Sequence, residues 1–405
     1  MHSNRIEHYK LFYAYVLRSL GNVHNQSYTG YKMTRRQKRY IRRQENRKSK
    51  RMAALAECLK FENIISNQTL YDAAKKAAKG VDWKYSVQKY IANLFINLAK
   101  TKRDLILGRD VRRGFIEFNI NERGKLRHIK SVHFSERVVQ QALCRGALIP
   151  VLTHNLVTNN SASQKGKGTH YAIRQATKDL VKFSRKYKND GYVLAMDFKG
   201  YFENIAHEPL KEIYKKHFSD ERVLKLTNSF VDAFGDKGLG LGSETSQISA
   251  VAYINEIDHY ITEVLRLPYG RYMDDSYILC PDKEHLEYVL ATLRPMYEKY
   301  GIILNPKKTV IRKLKHGFNF LKVRFSVTDT GKILKKPCRD SITKERQRLK
   351  KQKKLFDNGI LDMKTIEQSY FSWRGSMENK HARKTIYIMD RLYNDLFKKE
   401  KEEKS

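Results

Sequence analysis

Apolar residues recur at helical spacing along the segment that ends at Gly108. The pattern predicts helices within residues 55–59, 70–78 and 85–98, because positions three and four apart share one face of a helix. Beyond Gly108 the period shortens to two, and apolar and polar residues alternate on both sides of a turn within residues 115–129. This second pattern predicts a β-hairpin that carries several basic residues.

The second half of the chain combines short apolar runs with longer helical patterns. Two apolar runs predict strands, namely residues 192–196, which end on Asp197, and residues 277–280. Helical patterns cover residues 135–148, with Ser135 as the expected N-cap, residues 246–265, and the chain from 342 onward with a break at 357–359. Strand, helices and then a hairpin predict an α+β fold in which helices back an antiparallel sheet.

The chain is strongly basic: it contains 80 Lys and Arg and 43 Asp and Glu, which gives a net charge of +37. Such an excess predicts a polyanionic partner, and nucleic acid fits best. Residues 34–51 form a basic arm that is expected to be flexible, or helical only when bound to RNA. The apolar run at 11–17 is short of the roughly 20 residues of a membrane span, and no signal peptide follows. Four scattered cysteines predict a reducing, cytoplasmic setting.

Candidate chemistry lies in Tyr272-Met273-Asp274-Asp275, which its flanking residues place at the tip of a hairpin. Tips expose side chains, and an isolated Asp-Asp pair is most often a solvated turn. Here Asp197 follows an apolar strand 77 residues before Asp274, a spacing consistent with neighbouring strands of one sheet. Phosphoryl transfer by two Mg²⁺ ions about 3.5 to 4 Å apart needs hard oxygen ligands from separate elements. Asp197 and Asp274 fit that task, and Asp275 is expected to support the metal region or the primer end.

These blocks, in their order along the chain, resemble prokaryotic reverse transcriptases from about Phe61 to the C-terminal helices. The resemblance implies a right-hand polymerase of the α+β class, with fingers, a palm built on an antiparallel sheet, and a helical thumb. It implies an RNA-directed DNA polymerase divided into a basic N-terminal arm (1–51), fingers and palm (52–330), and a helical thumb with a basic tail (331–405).

Residues 197–202 are similar to the first palm motif of the family. The resemblance implies that Asp197 binds both metal ions and that the carbonyl of Phe198 contributes to the same site. It also implies that Phe202 is a steric gate, because a flat aromatic ring under the sugar leaves no room for a 2′-hydroxyl.

The glycine-rich segment 238–247 resembles a family block that usually reads Pro-Gln-Gly and, four residues on, Ser-Pro. Leu241 stands in place of the Gln and Gln247 in place of the Pro, a version typical of diversity-generating retroelements and some phage-defence relatives. The resemblance implies that Leu241 and Gly242 contact the incoming dNTP, since glycines let the backbone approach a ligand closely. Loss of the Gln side chain implies modest fidelity.

The resemblance assigns further contacts to side chains spread along the chain. The predicted hairpin would grip the dNTP through Lys125 and Arg127. The nucleic acid would be contacted by Arg137, Lys165, Lys167, Gln247, Tyr272 and Arg324. Lys308 is similar to the lysine that protonates the pyrophosphate leaving group. Residues 318–325 resemble the primer-grip hairpin, although Lys322 stands where the family has Gly. Without the resemblance, these cations are equally well explained as the surface of a basic chain.

The expected cofactors are two Mg²⁺ ions, with Mn²⁺ as an alternative. The expected partners are an RNA template, the RNA/DNA hybrid and dNTPs, with a cognate noncoding RNA or an accessory protein in a diversity-generating or phage-defence element, and no membrane. Two alternatives stay open: a maturase-like RNA-binding protein that keeps the polymerase scaffold, and an RNA-dependent RNA polymerase. The joint presence of the three acids with Phe202 and Lys308 disfavours the first, and the aromatic gate disfavours the second.

Overall fold

The computed structural model describes residues 55–122, 125–378 and 380–397, together with five positions of the basic arm, Arg35, Arg39, Arg42, Arg43 and Asn46. The chain divides into two compact units, Met1–Ala54 and Leu55–Ser405. In the first unit the five described positions are helical and exposed. The rest of the predicted arm lies outside the described residues. All elements named below belong to the second unit.

Helices and one hairpin form the first part of the second unit. The helices are α1 (Phe61–Ile64), α2 (Asn67–Ala78), α3 (Tyr85–Ala92), α4 (Leu94–Ile106), α5 (Phe134–Leu143) and α6 (Ile149–Thr153). Ser66 caps α2 by accepting a hydrogen bond from the Thr69 amide at 3.1 Å, and α2 packs along α5. Strands β1 (Phe115–Glu122) and β2 (Lys125–Val132) pair in antiparallel register, which confirms the predicted hairpin.

An antiparallel sheet lies at the centre of this unit, with strand order β4-β5-β3-β6 and with β7 also paired to β3. Its strands are β3 (Tyr192–Lys199), β4 (Tyr269–Tyr272), β5 (Asp275–Cys280), β6 (Ile303–Leu304) and β7 (Val310–Lys313). The helices around it are α7 (Thr169–Tyr187), α8 (His207–His217), α9 (Glu221–Asp232), α10 (Glu244–Tyr253), α11 (Asn255–His259) and α12 (Lys283–Lys299). This mixture of helices and an antiparallel sheet confirms the predicted α+β class.

The C-terminal part begins with a second antiparallel sheet, of order β10-β9-β8. Its strands are β8 (Phe318–Phe320), β9 (Val323–Val327) and β10 (Ile333–Pro337). Helices α13 (Arg339–Asp357), α14 (Met363–Gly375) and α15 (Arg383–Phe397) follow and share a small core. The predicted break at 357–359 is confirmed, with Gly359 at a φ of +69°. Within the described residues, no helix has the length and apolar character needed to cross a membrane.

Two helix predictions were wrong in detail. Ser135 does not cap α5: the helix begins at Phe134, and His133 is the N-cap residue without a side-chain bond. Phe134, the first residue of the helix, packs edge-on against Tyr90, with ring centroids 5.0 Å apart. The predicted helix 85–98 is two helices, because the chain leaves helical geometry at Asn93.

The sheet region also differs from the sequence prediction. The predicted helix 246–265 breaks at Ile254, and the break turns Asp258 of α11 toward Arg271 of β4. Asp197 does not end β3, because Phe198 and Lys199 continue the strand by pairing with β6. Asp197 therefore lies inside a strand that is held on both edges.

The β8–β9 hairpin closes through a two-residue turn, Leu321-Lys322, with φ angles of +51° and +60°. Tight hairpin turns of this type need positive φ at both central residues, which is why glycine is favoured there. A residue with a side chain in this region costs about 1–2 kcal/mol. Lys322, which stands where the resemblance expects Gly, therefore sits at a strained position.

Lys322→Gly should raise the stability of the protein. Relief of the positive φ outweighs the extra freedom of glycine in the unfolded chain, so the expected gain is about 0.5–1 kcal/mol. Thermal unfolding followed by circular dichroism measures the effect. Lys315→Gly, at a neighbouring position without positive φ, is the matched control and should lower the melting temperature. A lower melting temperature for Lys322→Gly would contradict the argument.

Candidate active site

The β4–β5 hairpin ends in a two-residue turn made by Met273 and Asp274, because Tyr272 and Asp275 form the last pair of the ladder. Met273 has a φ of +56°, a region that residues with side chains rarely occupy. Asp274 is exposed in the turn, whereas Asp275 opens β5 and is half-buried. The prediction that both acids are exposed at the tip is right for Asp274. It is wrong for Asp275, because strand pairing extends to that residue.

Asp197 lies directly opposite Asp275 in the β3–β5 ladder. Directly opposed residues of an antiparallel pair have Cβ atoms about 4.5 to 5.5 Å apart. The Phe198 amide donates a hydrogen bond to the carbonyl oxygen of Asp274 at 3.2 Å and so joins the turn to β3. The expected pairing is confirmed for β3, which carries Asp197, and β5, which follows directly after Asp274, and the three acids meet at one end of the sheet.

Asp275 is held in an environment that disfavours its charged form. Burial, together with the charges of Asp274 and Asp197, raises the pKa of Asp275 to about 7. The Leu321 amide in the β8–β9 turn donates to Asp275 Oδ2 at 2.9 Å and opposes this shift. Carboxylates packed this closely disfavour one another's ionisation unless cations lie among them. The predicted primer-grip hairpin thus touches the acids through a backbone bond.

The Asp197 carboxylate is bound by two side chains from the loop between β6 and β7. Lys308 Nζ lies 2.8 and 3.0 Å from the two carboxylate oxygens, and Asn305 Nδ2 donates to one of them at 3.1 Å. The Lys308 side chain is 55% exposed and that of Asp197 is 19% exposed. The positive charge beside Asp197 is therefore supplied by the protein itself.

Among the described residues, no group of three or more His, Cys, Asp or Glu side chains forms a ready metal cage. The donors at the end of the sheet are nevertheless of the kind that Mg²⁺ prefers, namely the carboxylates of Asp197 and Asp274 and the backbone carbonyl of Phe198. The ammonium of Lys308 on Asp197 shows that this cluster already attracts a cation. In donor chemistry, the residues fit a hard divalent ion.

Phe202 and the glycine-rich loop lie against each other. The Leu239 amide donates to the Phe202 carbonyl, and the Gly238 amide donates to the Ile205 carbonyl, both at 2.8 Å. A Cβ on Gly238 would lie 2.9 Å from the Glu203 carbonyl oxygen, and its φ is +84°, so only glycine permits this approach. The Phe202 side chain is partly exposed, whereas the neighbouring Tyr201 is a core residue. Phe202 is therefore the aromatic of this pair that can reach a ligand.

The same loop reaches the β1–β2 hairpin. A Cβ on the exposed Gly242 would lie 3.5 Å from Ile129 Cγ2, so the loop approaches β2 closely. Arg127 lies two residues before Ile129 and therefore on the same face of β2. Three predicted dNTP contacts, Leu241, Gly242 and Arg127, are thus on neighbouring segments. The side chain of Lys125 lies outside the described residues.

The six side chains predicted to contact nucleic acid lie on separate elements. Arg137 is half-buried on α5, Lys165 and Lys167 are in the loop before α7, Gln247 is exposed on α10, Tyr272 is half-buried on β4, and Arg324 is exposed on β9. Lys167 donates to the carbonyls of Thr158 and Asn160 at 3.1 and 3.2 Å, so it secures its own loop. The roles of all six stay predictions.

An ion pair that the sequence did not reveal lies beside the Asp274 turn. Arg271 on β4 and Asp258 on α11 are both fully buried and approach to 2.6 Å. One signal was available, because Arg271 stands inside an apolar strand and a charged residue is almost never fully buried without a partner. The identity of the partner was not readable from the sequence.

A buried polar chain that the sequence did not reveal links the segment before β1 to the glycine-rich loop. The Arg113 amide donates to Glu136 at 2.8 Å, Gln140 donates to Glu136 at 3.1 Å, and the Ser243 hydroxyl donates to Gln140 at 2.8 Å. Ser243 is also the N-cap of α10. Since Gln140 and Ser243 are 103 residues apart, no local pattern reveals the link.

A third group that the sequence did not reveal connects α7 to Tyr277 of β5. Asp179 of α7 accepts hydrogen bonds from the Tyr277 hydroxyl and from Asn159 Nδ2, both at 2.8 Å. Burial raises the pKa of Asp179 to about 6, although the Tyr277 bond and the charge of Lys182 oppose the shift. A buried carboxyl with a raised pKa makes stability depend on pH.

Comparison with protein families finds one match, to the family described as reverse transcriptase (RNA-dependent DNA polymerase), over residues 119–325. That range is just over half of the chain, and it contains β2, the central sheet and β8, together with parts of β1 and β9. No curated protein matches the chain in sequence.

Solved structures of yeast telomerases are similar to parts of the chain. Apo telomerase from Candida tropicalis truncated from its C-terminal domain shares 17% identity over 55% of this chain and 54% of its own, with a TM-score of 0.42. Telomerase from Candida albicans in complex with a fragment of telomeric RNA shares 12% identity over 66% and 55%, with a TM-score of 0.44. The chain spans about half the length of these structures.

Asp179→Asn should change how stability depends on pH. Because the pKa of Asp179 is about 6 in the folded protein and near 3.8 when unperturbed, its proton stabilises the folded state below about pH 4, and this stability is lost as pH rises through 6. The melting temperature of the wild type minus that of the variant should therefore fall between pH 4 and pH 7. Asp82→Asn, at an exposed position, is the matched control. A difference that stays constant or rises would contradict the assignment.

Proposed function

The chain belongs to the reverse transcriptase family, and we propose that it copies an RNA template into DNA by adding dNTPs to a primer 3′-hydroxyl. The observation that carries the proposal is the β3–β5 register, which sets Asp197 opposite Asp275 and brings Asp274 beside them. RNA binding alone requires no such cluster of carboxylates. The binding-only alternative is therefore disfavoured.

In the proposed reaction the primer 3′-oxygen attacks the α-phosphorus of the dNTP. A new phosphodiester bond forms, the bond from the α-phosphorus to the pyrophosphate oxygen breaks, and the 3′-hydroxyl proton passes to solvent. Catalysis of this kind is mainly positioning and electrostatic stabilisation. Asp197, Asp274 and the Phe198 carbonyl would hold two Mg²⁺ ions. When bound, these ions lower the charge repulsion between the attacking oxygen and the phosphates.

Lys308 is the candidate general acid for the leaving pyrophosphate. In this structure its ammonium rests on Asp197, and its largely exposed side chain leaves room to rotate. A general acid must come within hydrogen-bonding reach of the atom that it protonates. We propose that Lys308 exchanges Asp197 for a pyrophosphate oxygen, to which it donates a proton.

The substrate side of the site would be built from Phe202 and the glycine-rich loop. The bond from the Leu239 amide to the Phe202 carbonyl holds the backbone of Phe202 beside the loop. The ring would lie under the sugar and exclude a 2′-hydroxyl. Leu241, Gly242 and Arg127 would line the rest of the dNTP position.

The template and the hybrid would be held by basic surfaces. On α13, Arg339, Arg346, Lys350 and Lys354 are exposed and recur at spacings of seven and four residues, which puts them on one side of the helix. Such a stripe suits the phosphates of an RNA/DNA hybrid. The β8–β9 hairpin, tied to Asp275 through Leu321, would hold the primer end.

We further propose that the enzyme is of the prokaryotic type found in diversity-generating or phage-defence elements. The support is the glycine-rich loop, in which Leu241 and Gln247 depart from the Gln and Pro of other branches. Sequencing the nucleic acid that copurifies with the protein, together with the DNA that flanks its gene, tests this. An intron RNA as the bound species would overturn it.

Asp274→Ala should abolish Mg²⁺-dependent dNTP incorporation on a primed RNA template. Loss of one metal-binding carboxylate should lower the rate by roughly 10²- to 10³-fold or more. Binding of the primed RNA should stay nearly intact, because Asp274 is exposed in a turn. Primer extension and a filter-binding assay measure the two effects, with Glu208→Ala, another exposed carboxylate, as the control. Undiminished DNA synthesis by Asp274→Ala would contradict the proposed role of Asp274 in polymerisation.

Phe202→Ala should weaken discrimination against ribonucleotides. Removing the ring opens space for a 2′-hydroxyl, so the ratio of kcat/KM for dNTP to that for rNTP should fall by about 10- to 100-fold. Single-nucleotide extension with each substrate measures the ratio. Phe95→Ala, an exposed aromatic on α4, is the matched control and should leave it unchanged. A wild-type preference for rNTPs would instead favour an RNA-dependent RNA polymerase.

A further inference from the structure

We infer that the buried Arg271–Asp258 pair is a positioning device for Asp274, acting through the backbone carbonyl of Met273. Arg271 Nε and Nη2 donate to the two oxygens of Asp258 at 2.9 and 2.6 Å, a forked arrangement of high geometric specificity. The remaining terminal nitrogen, Nη1, donates to the Met273 carbonyl at 3.2 Å. This inference rests on the proposed polymerase function.

Both side chains of the pair are fully buried, so neither touches a substrate directly. Asp258 also accepts hydrogen bonds from the Tyr269 hydroxyl at 2.6 Å and from Asn160 Nδ2 at 3.2 Å, and Arg271 Nη2 donates to the Val251 carbonyl at 2.8 Å. Burial alone would lower the pKa of Arg271, but the charge of Asp258 raises it above the usual value. The guanidinium therefore stays charged and fixed in direction.

The turn needs support because Met273 adopts a positive φ, which costs about 1–2 kcal/mol for a residue with a side chain. The backbone of Arg271 is anchored by two bonds to the segment before α7: its amide donates to the Asn159 carbonyl, and its carbonyl accepts from the Ser161 amide, both at 3.1 Å. Arg271 thus connects a rigid part of the interior to the residue immediately before Asp274.

Arg271→Lys is the first test. Lysine keeps a positive charge beside Asp258 but lacks the planar fork, so it cannot bind Asp258 and the Met273 carbonyl together. We expect kcat to fall about 10- to 100-fold, since misplacement of a catalytic group by about 1 Å costs roughly that much. The KM for dNTP and the affinity for primed RNA should change less than about twofold. Tyr269→Phe, which removes one bond to Asp258 and leaves Met273 untouched, is the control and should lower only the melting temperature.

Arg271→Gln combined with Asp258→Asn covers the case in which the single variant does not fold. Neutral amides remove both buried charges together, which is far less destabilising than leaving one unpaired. The shorter side chain at 271 also loses the Met273 contact. We expect this double variant to bind primed RNA and to show the same loss in kcat as Arg271→Lys.

Met273→Gly separates positioning from general stability. Glycine adopts the turn conformation without strain, so the turn should depend less on its support. In the Met273→Gly background, we expect the loss in kcat caused by the Arg271 variant to shrink at least severalfold. A structural role alone would give the same loss in both backgrounds.

The outcomes are distinct. Wild-type kcat in a folded Arg271 variant, or equal losses in both backgrounds, would overturn the positioning role. Failure of the double variant to fold while Tyr269→Phe folds normally would overturn it in favour of a purely structural role. An inactive wild type would instead overturn the proposed function, because the inference predicts a difference between active proteins.

Discussion

The register between β3 and β5 is the constraint on which the rest of the site depends. It places two carboxylates, Asp197 and Asp275, directly opposite each other and sets Asp274 in the adjoining turn. A slip of one residue would send Asp197 to the other face of the sheet. The repulsion among these acids is offset from outside the two strands, by Lys308 from the loop after β6 and by the Leu321 amide. Segments that follow β5 in the chain therefore supply the groups that offset the repulsion between the carboxylates.

The substrate side of the site is assembled differently, through backbone bonds, one side-chain bond and a close approach between separate segments. The glycine-rich loop is joined to Phe202 through Leu239 and to α5 through Ser243 and Gln140. It also approaches β2 at Gly242. The position of the loop therefore depends on particular residues, namely Gly238, where a Cβ would meet the Glu203 carbonyl oxygen, and Ser243, whose hydroxyl binds Gln140. Leu241 makes none of these links, so its side chain can vary while the loop keeps its position, as expected of a residue that selects a nucleotide.

Local pattern predicted those parts of the fold that local chemistry determines. The alternation before and after residues 121–124 gave the β1–β2 hairpin, and the strand before Asp197 gave its neighbour relation to the Asp274 turn. The start of α5 was missed because Phe134, which packs against the ring of Tyr90, is already helical. The Arg271–Asp258 pair was not predicted because it depends on the helix break at Ile254, and no glycine or proline marks that break in the sequence. Which residues are buried and which residues pair with each other are properties of the assembled core. The sequence therefore indicates residues that need a partner, but it does not identify the partner.

The loop from Asn305 to Thr309 connects two strands, β6 and β7, that pair with the same edge of β3. Its Asn305 amide also donates to the Asp197 carbonyl at 2.8 Å, and the Thr309 amide donates back to Asn305. Both ends of the loop are therefore fixed to one strand, and Lys308 is free to move only as a side chain. An added residue would displace Asn305 and Lys308 along the edge of β3 and so separate both side chains from the Asp197 carboxylate. In evolutionary terms, we expect this loop to tolerate neither an insertion nor the replacement of these two residues.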